Sequence, residues 1–302
     1  MINKLKKIFN HISNGTVLNR YKDRKKVAAH KIWLKFIQSN DKAIIKELSP
    51  DVKIKLYRDS SLSESLYCYD FEQEEIAFLN KFLTKGDIFF DIGANVGLFT
   101  VHASKIVGAN GKIFAFEPAK ITHERLVENV KLNNRENVVT NKIAISDFTG
   151  EQEFFVSAEG YDAFNSIVKP AKGEKYNNEM VKVVTIDDYV SSQNLVGKIK
   201  YMKIDVEGWE VPLFNGGKKI FSALNAPTLM VEFTEQNAIS AGHTCNELFH
   251  QLVAYGYKLF TYNMSKNELI EEKLRDNYYD YINVIAVKNP EILKEKFSVK
   301  YK

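Results

Sequence analysis

The 302-residue sequence predicts an α/β protein, with a mostly parallel sheet covered by helices on both faces and a basic helical extension at its N-terminus. Three observations carry this expectation. From residue 88 onward, short apolar runs rich in β-branched and aromatic residues alternate with helical patterns, as strands buried on both faces require. A strand, a glycine turn and an apolar helix start follow one another in "FFDIGANVGLFT" (89–100). Charge is segregated along the chain. Residues 1–58 hold 15 Lys and Arg against 4 Asp and Glu, whereas the remainder holds 27 against 34.

In chain order, "MINKLKKIFNHI" places Leu5, Ile8, Phe9 and Ile12 at helical spacing among Lys4, Lys6 and Lys7. "KVAAHKIWLKFIQ" reads as a second helix, and "EQEEIAFLNKFL" (72–83) as a third that stops before Gly86. Strands are expected at 88–93, 112–117, 138–144, 201–206 and 228–233, with helices near 97–107, 121–133, 209–221 and 245–255. Residues 145–200 break the alternation. There "EQEFFVS" and "MVKVVTI" read as extra strands around a polar loop that carries Tyr161, Phe164, Asn165 and Ser166, a candidate lid over the acceptor. "YKLFTYN" (257–263) and "YINVIAVK" (281–288) read as a closing strand pair. The expected division is a basic, mainly helical extension over 1–70 and the sheet domain over 71–302.

Composition excludes several classes. Cys68 and Cys245 stand far apart without C-x-x-C spacing, so neither a disulfide framework nor a thiolate zinc site is expected. No run approaches the roughly 20 apolar residues of a membrane span, and the N-terminus lacks a secretory h-region, so a cytoplasmic protein is expected. The basic arm predicts at most a weak peripheral contact with an anionic inner membrane face. It lacks the dense interleaved aromatics of a nucleic-acid stacking platform, and no nucleic acid is expected as partner.

The glycine turn is chemically selective. A dinucleotide fingerprint starting at Gly93 needs glycine at 95 and glycine or alanine at 98, and the sequence has Asn95 and Leu98. A Walker loop needs a G-K-[ST] that does not follow. Glu117 ends the next strand, 24 residues after Gly93, where a carboxylate accepts hydrogen bonds from both hydroxyls of a ribose. An adenosyl ligand without a pyrophosphate points to S-adenosylmethionine.

These residues resemble the FkbM-type family of S-adenosylmethionine-dependent methyltransferases. The matching segments are "FFDIGANVGLFT", "FAFEPAKITHERLVENVKLNN", "KIAISDFTGE", "VKVVTIDDYV", "YMKIDVEGWEVPLFNGG" and "PTLMVEFTE", in the family's order across roughly residues 70 to 290. The resemblance implies a class I methyltransferase fold, a seven-stranded sheet with one antiparallel strand. It implies that Asp91, Gly93, Asn95 and Gly97 surround the methionine part of the cofactor and that Glu117 holds its ribose. Ala144, Ser146 and Asp147 would border the adenine, with Asp147 facing its amine. It also implies a sugar, lipid-linked glycan or polyketide as acceptor.

On the acceptor side, Asp205 and Glu207 close the fourth strand in "KIDVEGWE" and face the cleft, since unpaired buried carboxylates are costly. Transfer to a hydroxyl needs orientation and then a base. Asp205 is the first choice for it and Glu207 the second, because alternation puts both on one face. No metal is expected. Asp205 and Glu232, at neighbouring strand ends, are the residues that would bind Mg²⁺ if one were used. The expected activity is O-methylation of a hydroxyl on a glycan or small metabolite. The alternatives are a non-catalytic cofactor- or glycan-binding module of the same fold, and an NAD-dependent oxidoreductase, which Asn95 and Leu98 disfavour.

Overall fold

The structure, a computed structural model, describes residues 17–157, 165–168, 175–275 and 278–301. The helix expected over residues 1–12, with Leu5, Ile8, Phe9 and Ile12, lies outside them, as do Tyr161 and Phe164 of the polar loop. The chain divides into two compact units, one within Met1–Ile44 and Leu56–Phe71, the other within Ile45–Lys55 and Glu72–Lys302.

The first unit is built on the helices Val17–Gln38 and Ser61–Cys68. Ser60 starts the shorter helix by accepting the Ser63 N–H at 2.9 Å, the side-chain cap that an N-terminus with orphan donors requires. Trp33 is buried, its ring 5.1 Å from Phe36 and 5.6 Å from Tyr67. Lys31 and Lys35 face solvent. Among the described residues no helix is long and apolar enough to cross a membrane. Strands β1 (Ala43–Ser49) and β2 (Val52–Tyr57) form a hairpin whose residues 45–55 belong to the second unit. Asn129 and Asn133 satisfy part of its edge there, accepting the Lys55 and Lys53 N–H groups at 2.6 and 2.8 Å.

The second unit holds the main sheet. Its strands are β3 (Ile88–Ile92), β4 (Lys112–Phe116) and β5 (Val138–Asn141), then β9 (Tyr201–Ile204) and β10 (Thr228–Phe233). β11 (Lys258–Asn263), β12 (Glu268–Glu271), β13 (Ile282–Val287) and β14 (Ser298–Lys300) complete it. The order is β14-β12-β11-β13-β10-β9-β3-β4-β5. β5, β4, β3, β9 and β10 run parallel, while β13 is antiparallel to both β10 and β11. The sheet therefore has nine strands where the sequence predicted seven. The excess is β12 and the edge strand β14, segments of four and three residues whose Glu and Lys residues leave no apolar run to read as a strand. A separate three-stranded sheet, in the order β6-β8-β7, joins β6 (Ala144–Ser146), β7 (Gly150–Ser157) and β8 (Tyr176–Thr185).

Helices cover the parallel strands, among them Leu98–Val107, Lys120–Leu132 and Cys245–Ala254. Phe90, Met202, Ile204, Val231 and Phe233 are fully buried in the core. Two sequence expectations break where the chain must turn. The run 138–144 splits, because its end leaves the main sheet as β6 to pair with β8. The helix expected over 209–221 splits into Glu210–Asn215 and Lys218–Ser222 around Gly216 and Gly217. Cys68 and Cys245 are buried and unbridged.

Strand order reverses between β3 and β9: β3 pairs with β4, next in the chain, on one side and with β9, reached by a long crossover, on the other. In open α/β sheets the crevice outside the carboxyl ends at such a switch is where ligands bind.

Candidate active site

Asp91 is the next-to-last residue of β3 at this switch, fully buried. The Thr100 hydroxyl donates to its Oδ2 at 2.5 Å, while its Oδ1 is buried with no hydrogen-bond partner. Burial pushes the carboxyl of Asp91 up, against the pull of the Lys203 ammonium and the Thr100 hydroxyl. Gly93 follows with φ +80°, and a Cβ there would lie 1.7 Å from the Asp205 carbonyl oxygen. The glycine thus lets the β3 turn and the end of β9 touch backbone to backbone. Gly97 is also left-handed, at φ +94°, and Asn95 adopts φ 47° between them.

Glu117, just past β4, is 5% exposed. Its Oε2 accepts the Asn95 N–H at 3.1 Å and its Oε1 the Ala119 N–H at 3.0 Å. One carboxylate ties the β3 turn to the β4 turn. Ala144 and Ser146 are buried in β6 and Asp147 beside them is exposed. The Ser146 hydroxyl donates to Asp147 at 3.1 Å and accepts the Trp209 indole N–H at 2.8 Å.

On the other side of the switch, β9 ends at Ile204, so alternation does not extend to Glu207. The turn places it instead, with left-handed backbone at Glu207 (φ 53°) and at Gly208 (φ 100°). Asn237 donates to the Glu207 carboxylate and Ser166 to the Glu207 carbonyl at 3.1 Å. Asp205, Glu207 and Glu232 bring carboxylate oxygens within 4.8 Å of one another. Burial first, and then the charges of Asp205, Glu207 and Glu210, push the carboxyl of Glu232 well up, while the Thr234 hydroxyl donates to it at 2.8 Å. Glu210, buried, is pushed up to about 7 by desolvation although it accepts the Val206 and Gly208 N–H groups. His243 pairs with Glu247 at 3.1 Å, and His250 is exposed on its helix.

The structure brings in residues that the sequence reading passed over. Lys203, in the middle of β9, is 4% exposed, with Nζ 2.7 Å from Asp205 Oδ2 and 4.7 Å above the Phe99 ring centre. Burial alone would lower its pKa, but the carboxylates of Asp205, Asp91 and Glu72 outweigh burial and hold the ammonium above its ordinary value. Glu72 precedes the helix Gln73–Phe82 in a left-handed conformation (φ 56°) and accepts the Tyr281 hydroxyl at 2.7 Å. A lysine inside "YMKID" was the available signal, because a charge inside a doubly covered strand requires buried partners.

An orphaned buried carboxylate oxygen at the glycine turn fits a ligand that brings its own ammonium, and a buried glutamate at the next strand end fits a ribose. The fold and these residues fit a methyltransferase that uses S-adenosylmethionine. The chain belongs to the FkbM methyltransferase family, whose domain, described as Methyltransferase FkbM domain, matches residues 91–259. It is similar to the hexuronic acid methyltransferase AglP of Haloferax volcanii, at 27% identity over 156 residues. That match spans 51% of this chain and 59% of the relative. Similar solved structures include a SAM-dependent methyltransferase of Aquifex aeolicus, with a TM-score of 0.39, 11% identity, and coverage of 70% of this chain and 87% of that one. Another is a SAM-dependent O-methyltransferase of Thermotoga maritima, with a TM-score of 0.39, 14% identity, and coverage of 72% and 65%.

Proposed function

We propose that this methyltransferase methylates a hydroxyl group of a glycan or small metabolite, with Asp205 receiving the hydroxyl proton. The observation that carries the reading is the position of Asp205. Its backbone touches the Gly93 turn and its carboxylate lies beside Glu207 and Glu232. AglP, whose name gives a hexuronic acid as its substrate, supports a sugar as acceptor class.

When bound, S-adenosylmethionine supplies an electrophilic methyl group. The chain's part is to bind, to orient and to move one proton. Asp91, Gly93, Asn95 and Gly97 enclose the methionine part. Glu117 receives the ribose hydroxyls, and Ala144, Ser146 and Asp147 border the adenine. Asp205 would accept the proton that the acceptor's hydroxyl gives up when its oxygen takes the methyl group from the sulfonium. Glu207, held by Asn237, orients the acceptor beside it. The transfer needs no metal in this reading, and Asp205 with Glu232 remains the place where one would bind. Residues 71–302, with the hairpin residues 45–55 in the same compact unit, form the catalytic domain, and the rest of 1–70 is a basic extension that makes weak peripheral contact with an anionic membrane.

The test is incubation of the full chain with methyl-labelled cofactor and a panel of neutral, amino and uronic glycosides, read by mass spectrometry. Product carrying an O-methyl group, lost in Asp205→Asn with cofactor binding retained, is the expected result. Cofactor binding without transfer to any hydroxyl, or transfer to nitrogen or carbon, would overturn the reading.

A further inference from the structure

We propose that Lys203 is a positioning residue for the transfer, a resident cation that fixes the Asp205 carboxylate at the acceptor site and balances Asp91 at the cofactor site. The inference rests on the O-methyltransferase reading and deepens it. Lys203 and Asp91 are direct neighbours across the β3–β9 pairing at the switch point, so their side chains leave the sheet on the same face. Asp205 follows two residues later, with the 2.7 Å ion pair to Nζ.

Each element around the ammonium contributes a group that holds it. β3 gives Asp91, the end of β9 gives Asp205, and the helix Leu98–Val107 gives the face of Phe99. The segment before the helix Gln73–Phe82 gives Glu72. Charge held by that many carboxylates keeps its proton, so Lys203 is not the base. A buried ammonium whose four-carbon stem is packed inside the protein instead locks the carboxylate that it touches. Without it, Asp91 and Asp205 repel one another inside a poorly solvated crevice, and Asp205 turns toward solvent.

A lysine serving only to fill the core would be replaceable by methionine, which matches its length and is itself apolar. Positioning predicts a different pattern. In Lys203→Met the acceptor-saturated kcat falls about 100-fold, with cofactor Kd by calorimetry staying within about fivefold. Lys203→Arg, which keeps the positive charge, recovers at least tenfold over the methionine variant. A second readout needs no acceptor. Removing one partner of a buried ion pair is costly, so Lys203→Met lowers the Tm by roughly 10 °C. Adding Asp205→Asn to it returns part of that loss, because the stranded charge is gone. Failure of every acceptor to give product overturns the transfer reading, and the Lys203 proposal that rests on it. Additive losses in Tm from the two substitutions, at intact cofactor binding, overturn the ion-pair role alone. A folded Lys203→Met with kcat within threefold of the parent, or an arginine variant no better than the methionine one, overturns the positioning role as well.

Discussion

Glu117 spends both of its oxygens on its own backbone, one on Asn95 and one on Ala119. Removing the carboxylate strands two buried or half-buried N–H groups, at about 1–3 kcal/mol each. Glu117→Ala is therefore expected to weaken cofactor binding at least about tenfold, or ~1.4 kcal/mol, by calorimetry. Glu117→Gln, which keeps one acceptor oxygen, should lose less. An unchanged Kd in the alanine variant would take Glu117 out of the site. Gly93 has a steric role that any ligand must accept. Gly93→Ala puts a Cβ into the Asp205 carbonyl at a left-handed φ, a strain of roughly 3 kcal/mol or more. Thermal melting should show a lowered Tm, and cofactor affinity should fall with it. A Tm within a degree of the parent would mean that the turn relaxes freely.

Among elements, β6 and the helix Glu210–Asn215 meet at Gly216, where a Cβ would lie 2.0 Å from the Ser146 carbonyl oxygen. Gly216→Ala should push β6 away and displace Ala144 and Ser146. The expected result is weaker cofactor binding with near-parental helix content by circular dichroism, and equal affinity would mean that β6 does not border the adenine. Elements with strong apolar periodicity were legible in the sequence: β10 lies over Thr228–Phe233, as its apolar run predicts. The strands β12 and β14 were not, because segments as short as "ELIE" and "SVK" carry no such run. The switch-point carboxylates were legible as strand ends before turns. What escaped was Lys203: its charge calls for buried partners, but the lysine alone does not say that Asp91 and Glu72, from distant segments, join the nearby Asp205 in facing it. Glu72 escaped for the same reason, since Lys203 and Tyr281 both lie far along the chain from it.

For the whole second unit, burial sets an unusual pH response. Burial first, then Glu75, pushes the carboxyl of Glu72 up to about 8, and Glu210 stands at about 7, both against an ordinary 4.5. A raised folded-state pKa means a contribution that is complete below 4.5 and lost as pH climbs through the folded value. His102 works the other way. Burial, with Lys105 nearby, lowers it from 6.5 to about 4, so its contribution is complete above 6.5 and lost as pH falls through 4. From 4.5 to 6.5 the two trends oppose, and above 6.5 only the glutamates act. The ligand-free Tm should thus fall between pH 6.5 and 8, by on the order of 5 °C. Glu72→Gln should reduce that slope, with the buried Glu210 and Glu232 carrying the remainder, and a slope that persists unchanged would place its origin elsewhere.

The position of β13 has a consequence for how the molecule is made. It lies between β10 and β11, although both are synthesised before it. A nascent chain that has exposed β11 therefore has no correct neighbour for it on the β10 side. Two apolar strand edges must stay open until residues 282–287 leave the ribosome. Tyr281, the partner of Glu72, arrives with them, so the acceptor side of the crevice is assembled last, and chains stopped before that point would emerge with a sticky gap in the middle of their sheet.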